Sequence, residues 1–315
     1  MLEIFFGVVG AALFSLVATV IALNWIFPLT GAGLLRGMLR KKAGLVQKEL
    51  TINGSRVPFL VGGSGEALIL VHGFTANKDT FDALAHFLTP HYTVYAPDLP
   101  GHGDADKDLN ADFSIEAFVD HVRQFAHALG LKRVHLCGSS LGGGVVGFYA
   151  ARFPDEVASL WLIDAAVTGE FLTDSEMIKH YDATGKFPYL VQTHEEHARK
   201  MDMVFGKPAK MPHCMKFAFS EAAIRDFAIQ SAILNQFRKT APLDSLYSNL
   251  NTPTLIVTGD NDLIVPPSST KTLAKVFPKS TIQIVKGAGH IPMVERPNRS
   301  ARDYLAFRST LQTAT

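Results

Sequence analysis

A strand, a sharp turn and a helix around one serine constrain this chain more than any other feature. The apolar run 133–137 predicts a buried strand, and the stretch 143–153 predicts a helix that ends near Pro154. Between them lies Gly138-Ser139-Ser140-Leu141-Gly142, which places Ser140 at the apex of the turn. Glycines two positions to either side let strand and helix approach closely, and a strained turn is typical of a reactive residue. The pattern therefore predicts a catalytic serine.

Strands and helices alternate on both sides of this motif. Asn53-Gly54 predicts a hairpin that joins strands 48–52 and 56–61. The further predicted strands are the apolar runs 67–71, 92–96, 157–163, 254–258 and 280–285. The predicted helices are 81–88, 114–129, about 267–276 and a last one through Leu311, with Ser114 as an N-cap. Continuous apolar strands alternating with helices predict a doubly wound, mostly parallel sheet.

The alternation stops for roughly 80 residues, and helical patterns dominate from about 165 to 248. This insertion is rich in two residue types, methionine (177, 201, 203, 211 and 215) and phenylalanine (171, 187, 205, 217, 219 and 227). An insertion at the strand ends predicts a helical cap, and its apolar side chains favour an apolar ligand. Packing of the cap onto the core would explain the same composition equally well.

The N-terminus is uncharged from Ile4 to Phe27, a run of 24 residues. As a helix with a rise of about 1.5 Å per residue, it would span roughly 36 Å, enough to cross a hydrocarbon core of about 30 Å. A cleaved signal peptide needs a basic start and a shorter apolar run, whereas this chain begins Met1-Leu2-Glu3. We therefore predict a retained single-pass transmembrane anchor in residues 1–30.

Basic residues follow the apolar run, in a predicted linker at 31–47: Arg36, Arg40, Lys41 and Lys42. By the positive-inside rule they place the remaining domain, 48–315, on the cytoplasmic side of the membrane. The formal net charge of the whole chain is only +1, so nothing indicates a nucleic-acid partner. Its two cysteines do not form a disulfide framework.

A serine hydroxyl needs a base to take its proton, and the base needs an acid to orient it. His290 comes directly after the last predicted strand, preceded by small residues, and is the predicted base. Three aspartates follow strands and could orient it. Asp262 is best placed to reach His290, Asp164 ends the strand before the insertion, and Asp260 is better suited to closing a turn.

The oxyanion that forms in such a reaction needs two backbone N–H donors. The amide of Leu141 follows the serine at a helix start, and the amide of Phe74 lies in the loop His72-Gly73-Phe74-Thr75 after a strand. We interpret His72 as structural. Asp98 and His102 could suggest a metal pair, but no further ligands accompany them, so a hydrogen-bonded loop is favoured and no metal site is predicted.

Together these motifs resemble those of α/β-hydrolase-fold proteins, over about residues 48–311. The motifs that carry the resemblance are His72-Gly73-Phe74, Asp98-Leu99-Pro100-Gly101-His102-Gly103, Gly138 to Gly143, Asp262 within 259–266, and Gly289-His290 with Glu295-Arg296-Pro297. The resemblance implies an α/β-hydrolase fold with a helical cap, preceded here by the predicted transmembrane helix. It also implies a nucleophile elbow at Ser140 and the chain order serine, acid, histidine.

Within that fold the chain looks like the membrane-bound monoacylglycerol lipases and related bacterial lipases and esterases. Three features carry this likeness: the N-terminal span, Lys78-Asp79 after the first motif, and the ending from Gly289 to Pro297. It implies a lipid or small carboxylic-ester substrate, most simply a monoacylglycerol, a membrane as partner, and no cofactor.

Enzymes of the same fold with other activities differ from this chain at single positions. Epoxide hydrolases and haloalkane dehalogenases of the fold use Asp at the elbow, where this chain has Ser140. Carbon–carbon bond hydrolases of ring-cleavage pathways share the serine but usually place Trp after the catalytic histidine, where this chain has Ile291. That activity, a general short-chain esterase and a non-catalytic binding protein are the alternatives.

Overall fold

A computed structural model of the chain describes residues 2–312. Met1 and residues 313–315, which belong to the predicted anchor and hydrolase domain, lie outside the described residues. Within 2–312 eight strands form one sheet. Their bounds are β1 Leu45–Ile52, β2 Ser55–Gly63, β3 Glu66–Val71, β4 Tyr92–Pro97, β5 Val134–Ser139, β6 Val157–Ile163, β7 Thr254–Gly259 and β8 Ser280–Val285.

The strand order is β1-β2-β4-β3-β5-β6-β7-β8. β1 and β2 pair antiparallel as a hairpin, β2 pairs antiparallel with β4, and all later pairs are parallel. Asn53 and Gly54 form the hairpin turn with positive φ angles of 51° and 82°, as an Asn-Gly turn requires. The predicted hairpin and mostly parallel sheet are confirmed.

The described chain also contains fourteen α-helices and two short 3₁₀-helices, Lys78–Phe81 and Pro154–Glu156. The α-helices outside the insertion are α1 Leu2–Trp25, α2 Pro28–Lys42, α3 Asp82–Leu88, α4 Ile115–Ala128, α5 Leu141–Arg152, α12 Ser269–Val276, α13 Pro292–Glu295 and α14 Pro297–Gln312. Those of the insertion are α6 Gly169–Asp174, α7 Glu176–Thr184, α8 His194–Val204, α9 His213–Arg225, α10 Phe227–Phe237 and α11 Leu243–Leu246.

Helices cover both faces of the sheet, which is why its central strands are apolar throughout. In β3, Ile69 and Val71 pack into one apolar core with α4, α5 and α12, while Leu68 and Leu70 pack into a second with α3 and α14. Successive side chains of a strand point to opposite faces, so both sets are buried. The doubly wound arrangement carries β3, β5, β6 and β7 to one edge, where their carboxyl ends meet.

The six helices α6–α11 lie between β6 and β7 and form the cap. Several of its methionines and phenylalanines belong to one of two apolar clusters. The cap cluster joins the cap to the strand-end loops, and its buried members are Ala166, Phe171, Met177, Phe187, Tyr189, Val204, Leu234, Ile264 and Val265. The α2-facing cluster joins the cap to the N-terminal helices, and its buried members are Ala32, Cys214 and Met215.

The N-terminal helices are attached to the cap and to the loop after β3. Asn24 accepts a hydrogen bond from the Cys214 amide at 3.1 Å, and Trp25 stacks on His213 with ring centroids 4.3 Å apart. Arg40 pairs with Asp79 at 2.5 Å. The predicted linker 31–47 therefore contains most of α2 and the start of β1, and α2 packs on the domain.

Within the described residues, no single helix has the length and apolarity expected of a membrane span. The helix pair Val9–Trp25 and Pro28–Lys42 passes that test jointly, with a bend of 108° between its members.

Candidate active site

Ser140 occupies the strained turn that the sequence predicted. It lies between the end of β5 and the start of α5 with φ 54° and ψ −119°, a left-handed conformation that side chains rarely adopt. A Cβ atom on Gly138 would collide with the carbonyl oxygen of Gly142, and one on Gly143 would lie 2.6 Å from the Ala165 Cβ. Only glycine fits at these positions, because the turn brings backbone against backbone.

Backbone hydrogen bonds hold the turn against the end of β6. The Ser140 N–H donates to the carbonyl oxygen of Ile163 at 2.9 Å, and the Ser140 carbonyl accepts from the Ala166 N–H at 3.1 Å. On the other side, a Cβ on Gly73 would lie 3.7 Å from Ser140 Oγ. The serine hydroxyl is therefore placed beside the loop after β3.

His290 and Asp262 are hydrogen-bonded to each other at the same edge. His290 Nδ1 lies 2.8 Å from Asp262 Oδ2, and both side chains are buried. An ionised carboxylate only accepts hydrogen bonds, so this contact puts the hydrogen on Nδ1 and leaves Nε2 as an acceptor. Nε2 is buried and forms no hydrogen bond with any described residue. The imidazole has the tautomer that a general base needs.

The Asp262 carboxylate is itself fixed by its own loop. Its Oδ1 accepts the amides of Ile264 at 2.7 Å and Val265 at 3.0 Å, and the side chains of both residues are buried in the cap cluster. Two backbone contacts fix the loop that carries the imidazole. The backbone N–H of His290 donates to the carbonyl oxygen of Val204, the last residue of α8, at 2.8 Å. The Gly289 N–H donates to Glu295 Oε1 at 2.7 Å.

Asp164, the alternative acid, lies next to this pair but has different hydrogen-bond partners. Burial, followed by the charge of Asp262, raises the pKa of Asp164 well above its usual range. Its Oδ1 accepts from Thr258 Oγ1 at 2.6 Å and from the Gly259 amide at 3.2 Å. Its Oδ2 is buried without a hydrogen-bond partner among the described residues. Asp262 is thus the carboxylate that contacts the imidazole.

The third candidate, Asp260, closes a turn. Its Oδ1 accepts the Gly287 amide at 2.6 Å on the exposed side of the loop.

A possible cation site lies beside the pair. One atom from each of Asp164, Asp262 and His290 lies within 4.8 Å of the others, close enough for the three residues to bind one cation. However, His290 Nδ1 and Asp262 Oδ2 already bind each other, and burial raises the pKa of Asp164 well above its usual range. This donor set fits proton transfer better than metal binding.

Two backbone amides beside Ser140 have no hydrogen-bond acceptor within residues 2–312. One belongs to Phe74 in the loop after β3, and the other to Leu141, the first residue of α5. The first N–H groups of a helix have no intrahelical partner, and the helix dipole makes that end favourable for an anion. Both amides are therefore free to bind a negatively charged oxygen.

The histidine beside the Phe74 loop is held as a neutral, structural group. His72 Nδ1 donates to the Gly73 carbonyl at 2.9 Å, and Nε2 accepts the Leu99 amide at 3.0 Å. Complete burial lowers the pKa of His72 to about 4. Neither ring nitrogen is left to accept a proton from a serine, in agreement with the structural interpretation.

The Asp98 motif forms a buried scaffold under the same loop. Asp98 accepts both the amide and the ammonium of Lys78, at 2.7 and 2.8 Å, and the Asp104 amide at 2.9 Å. His102 bonds its own loop through the Pro100 carbonyl at 3.0 Å, and burial lowers its pKa to about 3. The carboxylate is occupied by hydrogen bonds, as the sequence analysis expected of a loop scaffold.

Three residues at the site were not anticipated as part of it. Tyr189 of the cap stacks on Phe74 with ring centroids 6.4 Å apart. Lys200 of α8 donates to Thr75 Oγ1 at 2.7 Å. Glu295 binds the amides of Gly289 and of Gly206 in the cap. Tyr189 and Lys200 lie in the insertion, far from the site along the chain, so no local pattern pointed to them.

The comparison with known protein families agrees with this geometry. The family described as alpha/beta hydrolase fold matches residues 66–193 and 212–297, which hold the elbow, the histidine loop and much of the cap. The chain belongs to the α/β-hydrolase fold family. The predicted fold class is confirmed for the sheet, the helices and the family.

The similar proteins include lipases. Lipase 1 of Psychrobacter immobilis is 32% identical over 87% of this chain and 87% of its own. Human monoacylglycerol lipase ABHD6 is 28% identical over 78% of this chain and 76% of its own. The solved structure of a membrane phospholipase A, a bacterial virulence factor, matches with a TM-score of 0.87 and 32% identity over 99% of both chains. This α/β hydrolase is therefore of the lipase and esterase type.

Proposed function

We propose that this α/β hydrolase cleaves the acyl ester of a glycerolipid, with a monoacylglycerol as substrate. Ser140 is the nucleophile, His290 the general base and Asp262 the residue that orients the imidazole. The observation that carries the proposal is the 2.8 Å hydrogen bond from His290 to Asp262, which leaves Nε2 free at the edge where Ser140 lies.

The reaction follows from these positions. Ser140 Oγ attacks the ester carbonyl as Nε2 of His290 takes its proton, and Asp262 stabilises the imidazolium that forms. The amides of Phe74 and Leu141 bind the oxyanion of the tetrahedral intermediate. The alcohol then leaves with the proton from His290, and water hydrolyses the acyl-enzyme by the same steps with Ser140 as leaving group.

Apolar walls on both sides of the reacting groups support a long acyl chain. The cap cluster packs against Phe74 on the oxyanion side and against Ile291, which follows the base. Burial of each methylene of an acyl chain against such walls would contribute about 0.8 kcal/mol. The similarity to a monoacylglycerol lipase supports the glycerol ester in particular.

A phospholipid acyl ester is the second candidate. The membrane phospholipase A matches this chain over 99% of its length, so the match includes the N-terminal helices as well as the hydrolase domain. The two substrates share the acyl ester and differ in the group on the glycerol, so the same catalytic residues serve both.

We also propose that the N-terminal helices hold the protein at a membrane, with the catalytic domain on the cytoplasmic side. Exposed apolar side chains run along α1 and continue beyond its end: Phe6, Val9, Leu13, Phe14, Leu16, Val17, Val20, Ile21, Trp25, Ile26 and Phe27. Arg40, Lys41 and Lys42 end α2 and fit the anionic head groups of a membrane surface. Attachment there would concentrate the enzyme where amphiphilic esters partition.

Initial rates on monooleoylglycerol, a diacyl phospholipid, a triacylglycerol and a soluble short-chain ester test the substrate. We expect Ser140-dependent hydrolysis with the highest kcat/KM on monooleoylglycerol. A preference for the diacyl phospholipid would favour the second candidate instead. Activity on the short-chain ester alone would indicate a general esterase, and no Ser140-dependent ester cleavage would contradict the proposal.

A further inference from the structure

The ammonium group of Lys200 is buried in the cap without a carboxylate partner. The residue is 5% exposed, and none of the described carboxylates forms an ion pair with its Nζ. Nζ donates to Thr75 Oγ1 at 2.7 Å and lies 4.8 Å from the centre of the Tyr189 ring. Burial lowers its pKa to about 7. A buried cation without a counter-charge lowers the stability of the fold, so we expect the lysine to contribute to function in return.

Thr75, its partner, occupies a strained position in the turn that carries Phe74. The Ala76 N–H donates to the Gly73 carbonyl at 3.2 Å, which closes a four-residue turn with Phe74 and Thr75 at its centre. Thr75 has φ 60°, a left-handed conformation that is unfavourable for a β-branched residue. Such strain persists only where the surroundings hold it, and Lys200 supplies the hydrogen bond to the Thr75 side chain.

We propose that Lys200 is a positioning residue for the oxyanion site. From the cap it holds the turn 73–76 so that the Phe74 amide points at the reacting carbonyl, and its positive charge stabilises the negative charge that forms there. The inference rests on the proposed function, because that function assigns Phe74 as an oxyanion donor. The protonated form of Lys200 lacks a counter-charge in the resting enzyme and gains one in the tetrahedral intermediate, which is the condition for selective stabilisation of the transition state.

The test compares full-length wild type with Lys200→Met, which keeps the length of the side chain and removes its charge and donors. With a neutral short-chain ester, we expect kcat to fall by about tenfold to a hundredfold, less than the loss from removing an oxyanion donor itself, and KM to change by less than about threefold. Affinity for a trifluoromethyl ketone, which forms an oxyanion with the serine, should fall by the same factor as kcat. A mainly structural role would not reproduce this pattern.

Three further variants sharpen the test. Lys200→Arg keeps the charge and should restore most of kcat. Thr75→Val should lower kcat, and adding Lys200→Met to it should lower kcat less than the product of the single effects, because both remove one contact. Lys216→Met, at an exposed lysine of α9, is the matched control and should behave as wild type. Thermal unfolding of each variant verifies that it folds.

The outcomes separate this inference from the function on which it rests. If the wild type cleaves the ester and Lys200→Met has the same kcat, the inference is overturned and the proposed function stands. A loss confined to an ester that carries a phosphate, such as a lysophospholipid, also overturns it, because Lys200 would then bind the substrate's anion. If the wild type cleaves no ester and its serine does not react with the trifluoromethyl ketone, the proposed function itself fails.

Discussion

The strand-end loops and the cap contribute to the same site but are organised by different interactions. In the loops, hydrogen bonds fix the reactive groups, some of them within a few residues, as when Asp262 accepts the amides of Ile264 and Val265. The cap is held by apolar clusters and by isolated long-range contacts, such as Lys200 to Thr75. The difference teaches that the site depends both on local backbone geometry, which dominates in the loops, and on packing between distant segments, which dominates in the cap.

The largest effect expected from a loop substitution is that of Ser140→Ala. Loss of the nucleophile should lower kcat by about 10⁴- to 10⁶-fold. The melting temperature should stay within about 2 °C of wild type, because backbone bonds rather than the hydroxyl hold the turn. Ester hydrolysis and thermal unfolding measure the two quantities. Substantial residual turnover would remove Ser140 from the mechanism.

Substitutions of the two loop aspartates Asp262 and Asp164 should differ in their effect on kcat. Asp262→Asn should lower kcat by about 10⁴-fold, because the amide cannot hold the imidazole in the required tautomer. Asp164 is hydrogen-bonded to Thr258 and to the Gly259 amide instead of to the imidazole, so Asp164→Asn should change kcat by less than about tenfold. Steady-state kinetics of both variants on one ester make the comparison. The opposite ranking would show that Asp164 is the acid of the triad.

A matched pair of cap methionines tests whether the two cap clusters differ in function. Met203 packs on the cap cluster together with Phe74, and Met215 belongs to the α2-facing cluster. Met203→Ala should change the ratio of kcat/KM for long and short acyl chains by up to about tenfold, equivalent to the contacts of one or two methylenes. Met215→Ala should leave that ratio within about twofold. Equal effects would show that this part of the cap does not bind the acyl chain.

The smallest effect on catalysis is expected from shortening α1. Removal of residues 1–20 keeps Asn24 and Trp25, which contact the cap, and keeps the ion pair from Arg40 to Asp79. The rate on a soluble short-chain ester should stay within about twofold of wild type, and the rate on lipid in vesicles should fall. Parallel assays and vesicle flotation measure both. Equal loss on the two substrates would indicate a structural role for α1 instead of membrane attachment.

Several loop features were predictable from the sequence because their cause is local. The elbow needed glycine on either side of Ser140, and the structure shows backbone atoms where side chains would collide. Asn53-Gly54 formed the predicted hairpin turn, and Ser114 accepts the Ala117 amide as the predicted N-cap. In each case, residues within five positions of one another decide the conformation.

The cap could be predicted as an insertion, but its division into two apolar clusters could not. Its methionines and phenylalanines looked alike in sequence, yet Met203 and Met215 pack in different clusters against different partners. The linker at 31–47 was predicted from charge alone, and α2 with its ion pair to Asp79 depends on a contact across 39 residues. Such contacts have no local pattern that reveals them.

The sequence by itself determined the family, the order of strands and helices, and the positions of the serine, histidine and aspartate that we propose as catalytic. Local sterics and the period of apolar residues indicate the elements and the elbow, and the resemblance of the motifs to those of the α/β-hydrolase fold indicates the family and the order of the three residues. Only the tertiary structure decided which aspartate is hydrogen-bonded to His290 and which one has its pKa raised by burial. It also decided that a cap lysine touches the loop of Phe74. The reason is physical, since burial and proximity between distant segments set protonation and contact, and neither is a property of a short stretch of chain.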